Sequence, residues 1–158
     1  MSAINSDVVD FLIEAKRRTY AAGGPPTGSS RRASKDLGFS NGDYEYLDSY
    51  FGGVDFIGSE VVYDKGIPVW GMNYYGRSIV DADAVADPDS AAMGDILHAA
   101  LMQPSPEAPY RGPASLKKGD CEYLCKWEGS PEDFHGEEEI LRSGKRIYFL
   151  RFHGGVVS

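Results

Sequence analysis

An internal repeat constrains this chain more than any other feature. Gly42-Asp-Tyr-Glu-Tyr-Leu-Asp-Ser-Tyr-Phe-Gly-Gly returns as Gly119-Asp-Cys-Glu-Tyr-Leu-Cys-Lys-Trp-Glu-Gly-Ser, with Gly, Asp, Glu, Tyr, Leu and the later Gly in the same order. One residue inserted near Pro131 then shifts the register. Beyond it Asp55-Phe56 matches Asp133-Phe134, Gly58 matches Gly136, Glu60 matches Glu138, Gly66 matches Gly144 and Gly76 matches Gly154. Upstream the match is looser: Arg32 stands five residues before Leu37, and Arg111 five before Leu116. A repeat on this scale predicts two copies of one supersecondary unit packed together.

Each copy reads as a helix followed by strands. Val8, Phe11, Leu12 and Ala15 recur at helical spacing and predict a first helix over about Asp7–Tyr20. Ser6 is the expected N-cap, and Gly23-Gly24-Pro25-Pro26 the stop. Met93, Ile96, Leu97, Ala100 and Leu101 predict a second helix over about Ala91–Met102, capped by Ser90 or Asp89, with His98 outside its apolar stripe. A long irregular segment follows each helix. Three strands then fall near 44–51, 54–63 and 67–75, and again near 121–128, 134–141 and 146–153. Gly52-Gly53, Lys65-Gly66, Gly129-Ser130-Pro131 and Ser143-Gly144 mark the turns. The expected fold is α+β: one domain over 1–158, with units at about 6–80 and 88–158 related by a pseudo-two-fold. Two helices pack one curved antiparallel sheet, or two facing ones.

Alternation assigns the faces. Tyr44, Tyr46, Asp48 and Tyr50 share a side of their strand with the counterparts Cys121, Tyr123, Cys125 and Trp127, a buried aromatic side. Trp70, Met72 and Tyr74 match Tyr148, Leu150 and Phe152. The opposite faces of those third strands carry Asn73, Tyr75, Arg151 and His153 beside apolar residues, which predicts cover on both sides.

Ten Tyr, seven Phe and two Trp support a β-rich body. Sixteen Lys and Arg against 24 Asp and Glu leave a net charge of −8, which disfavours direct contact with nucleic acid or anionic membranes. The sequence has no long apolar run, and the N-terminus lacks the pattern of a signal peptide; cytoplasmic residence is expected. Cys121 and Cys125 lie four apart on one strand, too far for a disulfide, and read as buried reduced thiols. Three scattered histidines predict no metal site, and no cofactor fingerprint is present.

Several stretches together resemble a known family: Phe11-Leu-Ile-Glu-Ala-Lys, Ser29-Ser30-Arg31 through Lys35-Asp36-Leu37, Asp48-Ser-Tyr-Phe-Gly-Gly, Val69-Trp-Gly-Met-Asn-Tyr-Tyr-Gly, Tyr110-Arg-Gly-Pro and Phe152-His-Gly-Gly. The likeness is to an uncharacterised bacterial domain that occurs alone or behind a helix-turn-helix of the xenobiotic-response-element type. The resemblance implies a sensory or oligomerisation role and carries no catalytic residue. About six residues precede the first helix, so no helix-turn-helix is expected here.

The candidate site residues follow from these patterns. Arg32 and Arg111 offer guanidinium forks to an anion, or ion pairs to the acidic residues. Glu60 and Glu138 are duplicated carboxylates that suit acid–base work if they meet in a cavity, or salt bridges if they do not. Asp48 sits among tyrosines and needs a hydroxyl partner or a wet cavity. Trp70, Asn73, Tyr75, Arg151 and His153 complete an expected niche between the halves. The expected function is binding of a small polar or anionic ligand, with a protein-interaction module as the alternative and a hydrolase or isomerase using Glu60 or Glu138 as the third. A homodimer or a regulatory protein is the expected macromolecular partner.

Overall fold

The structure is a computed structural model that describes residues 4–19, 26–79 and 88–158. Its elements in chain order are α1 (Ser6–Arg18), β1 (Lys35–Asn41), β2 (Tyr44–Gly52), β3 (Asp55–Asp64), β4 (Ile67–Ser78), α2 (Pro88–Leu101), β5 (Ser115–Lys118), β6 (Cys121–Ser130), β7 (Asp133–Arg142) and β8 (Lys145–Val156). The eight strands make one antiparallel sheet in the order β1-β2-β3-β4-β8-β7-β6-β5.

Each helix is therefore followed by four strands, not three. In the irregular segment expected after the first helix, residues 29–34 form a turn leading into β1, and β5 is the short counterpart of β1. Both pair through two-residue hairpins, Gly42-Asp43 and Gly119-Asp120, whose glycines hold φ near +62° and +61°. Glycine at the first position of such a loop supplies the backbone that the strand twist needs. Other features recur at matched places. Lys65-Gly66 and Ser143-Gly144 both carry two positive φ angles, and the ladders slip between Val62 and Tyr63 and again between Ile140 and Leu141.

Two boundary expectations are corrected. Asn5, not Ser6, caps α1: its side chain accepts the Asp7 amide at 3.0 Å. The second helix starts earlier, at Pro88, since a proline in the first turn needs no amide partner; Asp89 and Ser90 lie inside it. The expected end of the first helix at Tyr20 and most of its glycine–proline stop lie outside the described residues.

Both helices lie on one face of the sheet. α1 buries Val8, Phe11, Leu12 and Ala15 over β1 and β2, where Phe11 stacks on Phe39 at 5.7 Å. α2 buries Ile96, Leu97, Ala100 and Leu101 over β5 to β8. Beneath them the sheet presents Tyr46, Val62, Trp70, Met72, Tyr123, Ile140, Tyr148, Leu150 and Phe152, all buried. β4 and β8 join the halves through nine residue pairs, Trp70↔Val156 to Ser78↔Tyr148. Gly154 permits that approach, since a Cβ there would stand 2.1 Å from the Gly71 carbonyl oxygen. The other face was expected to be covered, and it is largely bare: Ile57, Asn73, Tyr75, Arg151 and His153 are exposed on it. Among the described residues only the turn 29–34 covers part of it, shielding Asp36 and Ser49.

Candidate functional site

The buried face of the sheet holds an unusual number of charges. Among the described residues Lys16, Arg111, Asp48, Glu60 and Glu138 are all buried there, none more than 8% exposed. A charge taken out of water persists only with a partner, and the partners are specific. Lys16, from the last turn of α1, binds Glu60 on β3 and donates to the Tyr110 carbonyl at 2.7 Å. Arg111, from the loop after α2, donates Nε and Nη2 to Glu138 on β7 at 3.0 and 2.6 Å. Tyr123 and Tyr148 donate their hydroxyls to the same carboxylate at 2.5 and 2.7 Å. The Tyr123 oxygen in turn accepts the Gly112 amide at 2.9 Å. Gly112 must stay small, because a Cβ would meet the Tyr123 ring at 2.8 Å.

Asp48 differs. It stands on β2 directly across from Glu60, and its only hydrogen bond among the described residues is from the Tyr74 hydroxyl on β4, at 2.6 Å. Opposed like charges on adjacent strands destabilise one another. Burial and the neighbouring Glu60 push its carboxyl up to about 7, against the pull of Tyr74, Lys16 and Arg111. In the second half the corresponding position holds Cys125, across from Glu138. Its buried thiol is pushed up to about 12, mainly by burial.

Asp48 and Arg111 border open space. A cleft of about 230 Å³ runs past Asp48, Arg111, Lys35, Tyr50, Phe56 and Tyr74 to the Gly52-Gly53 turn. A recess of about 20 Å³ on the inner side is lined by Lys16, Tyr46, Asp48, Glu60 and Arg111, so Asp48 and Arg111 belong to both spaces. Since the Asp48 carboxyl is raised from 3.8, it stabilises the fold most at low pH, and that contribution fades as pH climbs through 7. Asp48→Asn is expected to gain about 2 kcal/mol relative to the parent between roughly pH 5 and 7, measured by urea unfolding across that range. A flat difference would show that Asp48 titrates normally.

The ten residues singled out from sequence do not form one niche. Asp48, Glu60, Arg111 and Glu138 come together on the helix-covered face. Glu60 and Glu138 are locked in their ion pairs, and neither borders the cleft. Trp70 is core: it is fully buried, stacks on Phe134 at 5.6 Å and donates to the Pro131 carbonyl at 3.0 Å. Asn73, Tyr75, Arg151 and His153 share a shallow groove with Arg31 and Phe51 on the opposite, bare face. Arg32 is exposed in the turn, and the guanidinium fixed there is Arg31, which donates to the Ser49 carbonyl at 2.7 Å and lies over Phe51. Lys16, Lys35, Tyr74 and Tyr110 were missed.

Tyr110 anchors the loop that delivers Arg111, stacking on Phe134 with centroids 3.9 Å apart. Its hydroxyl is the one buried side-chain polar atom among the described residues without a hydrogen bond. Burial, with Glu132 nearby, pushes it up to about 12. An unpaired buried hydroxyl costs stability. Tyr110→Phe is therefore expected to raise the unfolding free energy by about 1 kcal/mol in a denaturant titration, where most core substitutions lower it.

These features define an α+β domain with a cluster of buried charges on the covered face of one antiparallel sheet, two of which, Asp48 and Arg111, border a cleft. Residues 48–157 match the model of a family described as a domain of unknown function, DUF5680, and the chain belongs to that family. The match begins at Asp48, so Lys16 and Lys35 lie before it while Asp48, Arg111 and Glu138 lie within. No curated protein and no solved structure gives a significant match. No helix among the described residues is long and apolar enough to cross a membrane.

Proposed function

We propose that the protein binds a small polar molecule in the cleft between Asp48 and Arg111. The observation that carries this reading is Asp48 itself, a buried carboxylate with no ion-pair partner among the described residues, which faces open space between aromatic rings. Tyr50, Phe56 and Tyr74 supply apolar walls, and Asp48, Arg111 and Lys35 supply the few polar anchors typical of ligand pockets. The two halves, in this view, descend from one duplicated unit related by a pseudo-two-fold. Asp48, where the second half has Cys125, marks the copy that specialised. The resemblance to bacterial domains joined to helix-turn-helix regulators favours a sensory or regulatory role in the cytoplasm. A thermal-shift screen of metabolites tests the reading: hits should be weakened by Tyr50→Leu, which alters a half-exposed wall and not the core. A stable protein that no compound shifts would count against it.

The bare sheet face favours a second reading, an interaction module. Ile57 and Tyr75 are 55% and 41% exposed there, flanked by Arg31, Arg151 and His153. Acid–base chemistry on Glu60 or Glu138 gains no support from their placement. An enzymatic reading would have to use Asp48 instead.

A further inference from the structure

We propose, building on the cleft reading above, that the ligand is a small zwitterion of the α-amino acid type, its ammonium group on Asp48 and its carboxylate against Arg111 and Lys35. Charge stoichiometry is the first support. Among the described residues on the covered face two buried cations serve three buried carboxylates, and each cation is committed to one glutamate, Lys16 to Glu60 and Arg111 to Glu138. The cluster is one positive charge short, and the carboxylate left over is the one that opens on the cleft. Asp36, the remaining buried carboxylate among the described residues, lies on the opposite face and is served by the Ser30 amide and the Ser34 hydroxyl at 2.5 and 3.0 Å.

The cleft walls supply the second support. An ammonium group on Asp48 would sit beside the rings of Tyr50, Phe56 and Tyr74, whose faces attract cations. The same space is bordered by two positive groups. Glu138 occupies Nε and Nη2 of Arg111, which leaves Nη1 for the cleft. Lys35 is exposed at the mouth, its Nζ 5.9 Å from the centre of the Tyr50 ring. A plain cation would therefore oppose Arg111 and Lys35, and a plain anion would oppose Asp48 and, behind it, Glu60. A molecule carrying both charges satisfies the two ends together, with an apolar side chain along Tyr50 and Phe56. The second half provides the contrast: Cys125 leaves the Glu138 cluster balanced by Arg111 alone.

The test is a calorimetric and thermal-shift series on the full chain with the twenty protein amino acids, followed by the amine and the acid that match the best of them. For phenylalanine these are phenethylamine and 3-phenylpropionate. At least one apolar amino acid should bind, and its matched amine and acid should each bind at least about tenfold more weakly. Asp48→Asn should weaken the amino acid about tenfold while leaving the acid as tight or tighter. Lys35→Met, a change at an exposed site, should weaken the amino acid and the acid but not the amine. The proposal is overturned if the amine or the acid alone matches the amino acid, or if Asp48→Asn leaves its affinity unchanged. If other small polar molecules bind in a Tyr50-dependent way and no amino acid does, the cleft reading stands and the zwitterion falls. If nothing binds, both fall.

Discussion

Glu138→Ala is expected to lower the unfolding free energy by about 3–5 kcal/mol, enough to unfold a marginal domain at physiological temperature. Glu138 is 1% exposed and takes hydrogen bonds from Arg111, Tyr123 and Tyr148. Removing it leaves a guanidinium and two hydroxyls buried beside an apolar void. The loss comes mainly from the stranded Arg111 charge, not from the attraction itself, because desolvation offsets most of what an ion pair contributes. The double variant Arg111→Met/Glu138→Leu should therefore recover much of the loss. Urea unfolding of parent, single and double variants checks this. A double variant no more stable than Glu138→Ala would place the stabilisation in the pair itself.

Trp70→Ala should cost a similar amount, about 3–5 kcal/mol, by a different route. Trp70 is fully buried at the seam of the two halves, where its strand pairs with β8. Its ring packs against Phe134 from the other half, and its indole nitrogen satisfies the Pro131 carbonyl in the β6–β7 turn. Alanine would open a cavity and strand that carbonyl together. Trp70→Phe keeps much of the stacking and loses the donor, so its cost should fall near 1 kcal/mol or slightly above. Equal losses for the two variants would show that the indole hydrogen bond, not the ring volume, holds the seam.

Much of this arrangement is legible in the amino-acid sequence, and the failures have identifiable causes. Alternation placed Tyr46, Asp48, Tyr123 and Cys125 on the buried side because a strand allows only two faces. It did not show how faces on different strands combine. Glu60 pairs with Met72, so Asn73 turns away from it, and that depends on a cross-strand register not visible in one strand. This is why Asn73, Tyr75, Arg151 and His153 joined Asp48 in one expected niche and lie on the other side of the sheet. Lys16 stands among the basic residues of the last turn of α1, where a cation suits the helix dipole. Yet it follows Leu12 by four residues and so continues the buried stripe, a signal that a buried acid elsewhere needed a partner. β1 was missed because Gly38 and its polar residues mask the strand, although Gly42-Asp43 is a two-residue hairpin signal. The matching offsets of Arg32 and Arg111 misled for a related reason. One segment folds into a turn on the bare face and the other plugs into the core, so equal spacing led to unequal places.

The pairing of β4 with β8 also governs how the molecule must assemble. Met72 meets Gly154 across 82 intervening steps of chain, and the strand at the middle of the sheet is the last of the eight to leave the ribosome. Until it arrives, β4 is an unprotected edge beside a half-made core, ready to pair with the wrong chain. Contacts of such long range make for slow folding, and the glycines of β8 are what let the late strand slot in against a neighbour already in position.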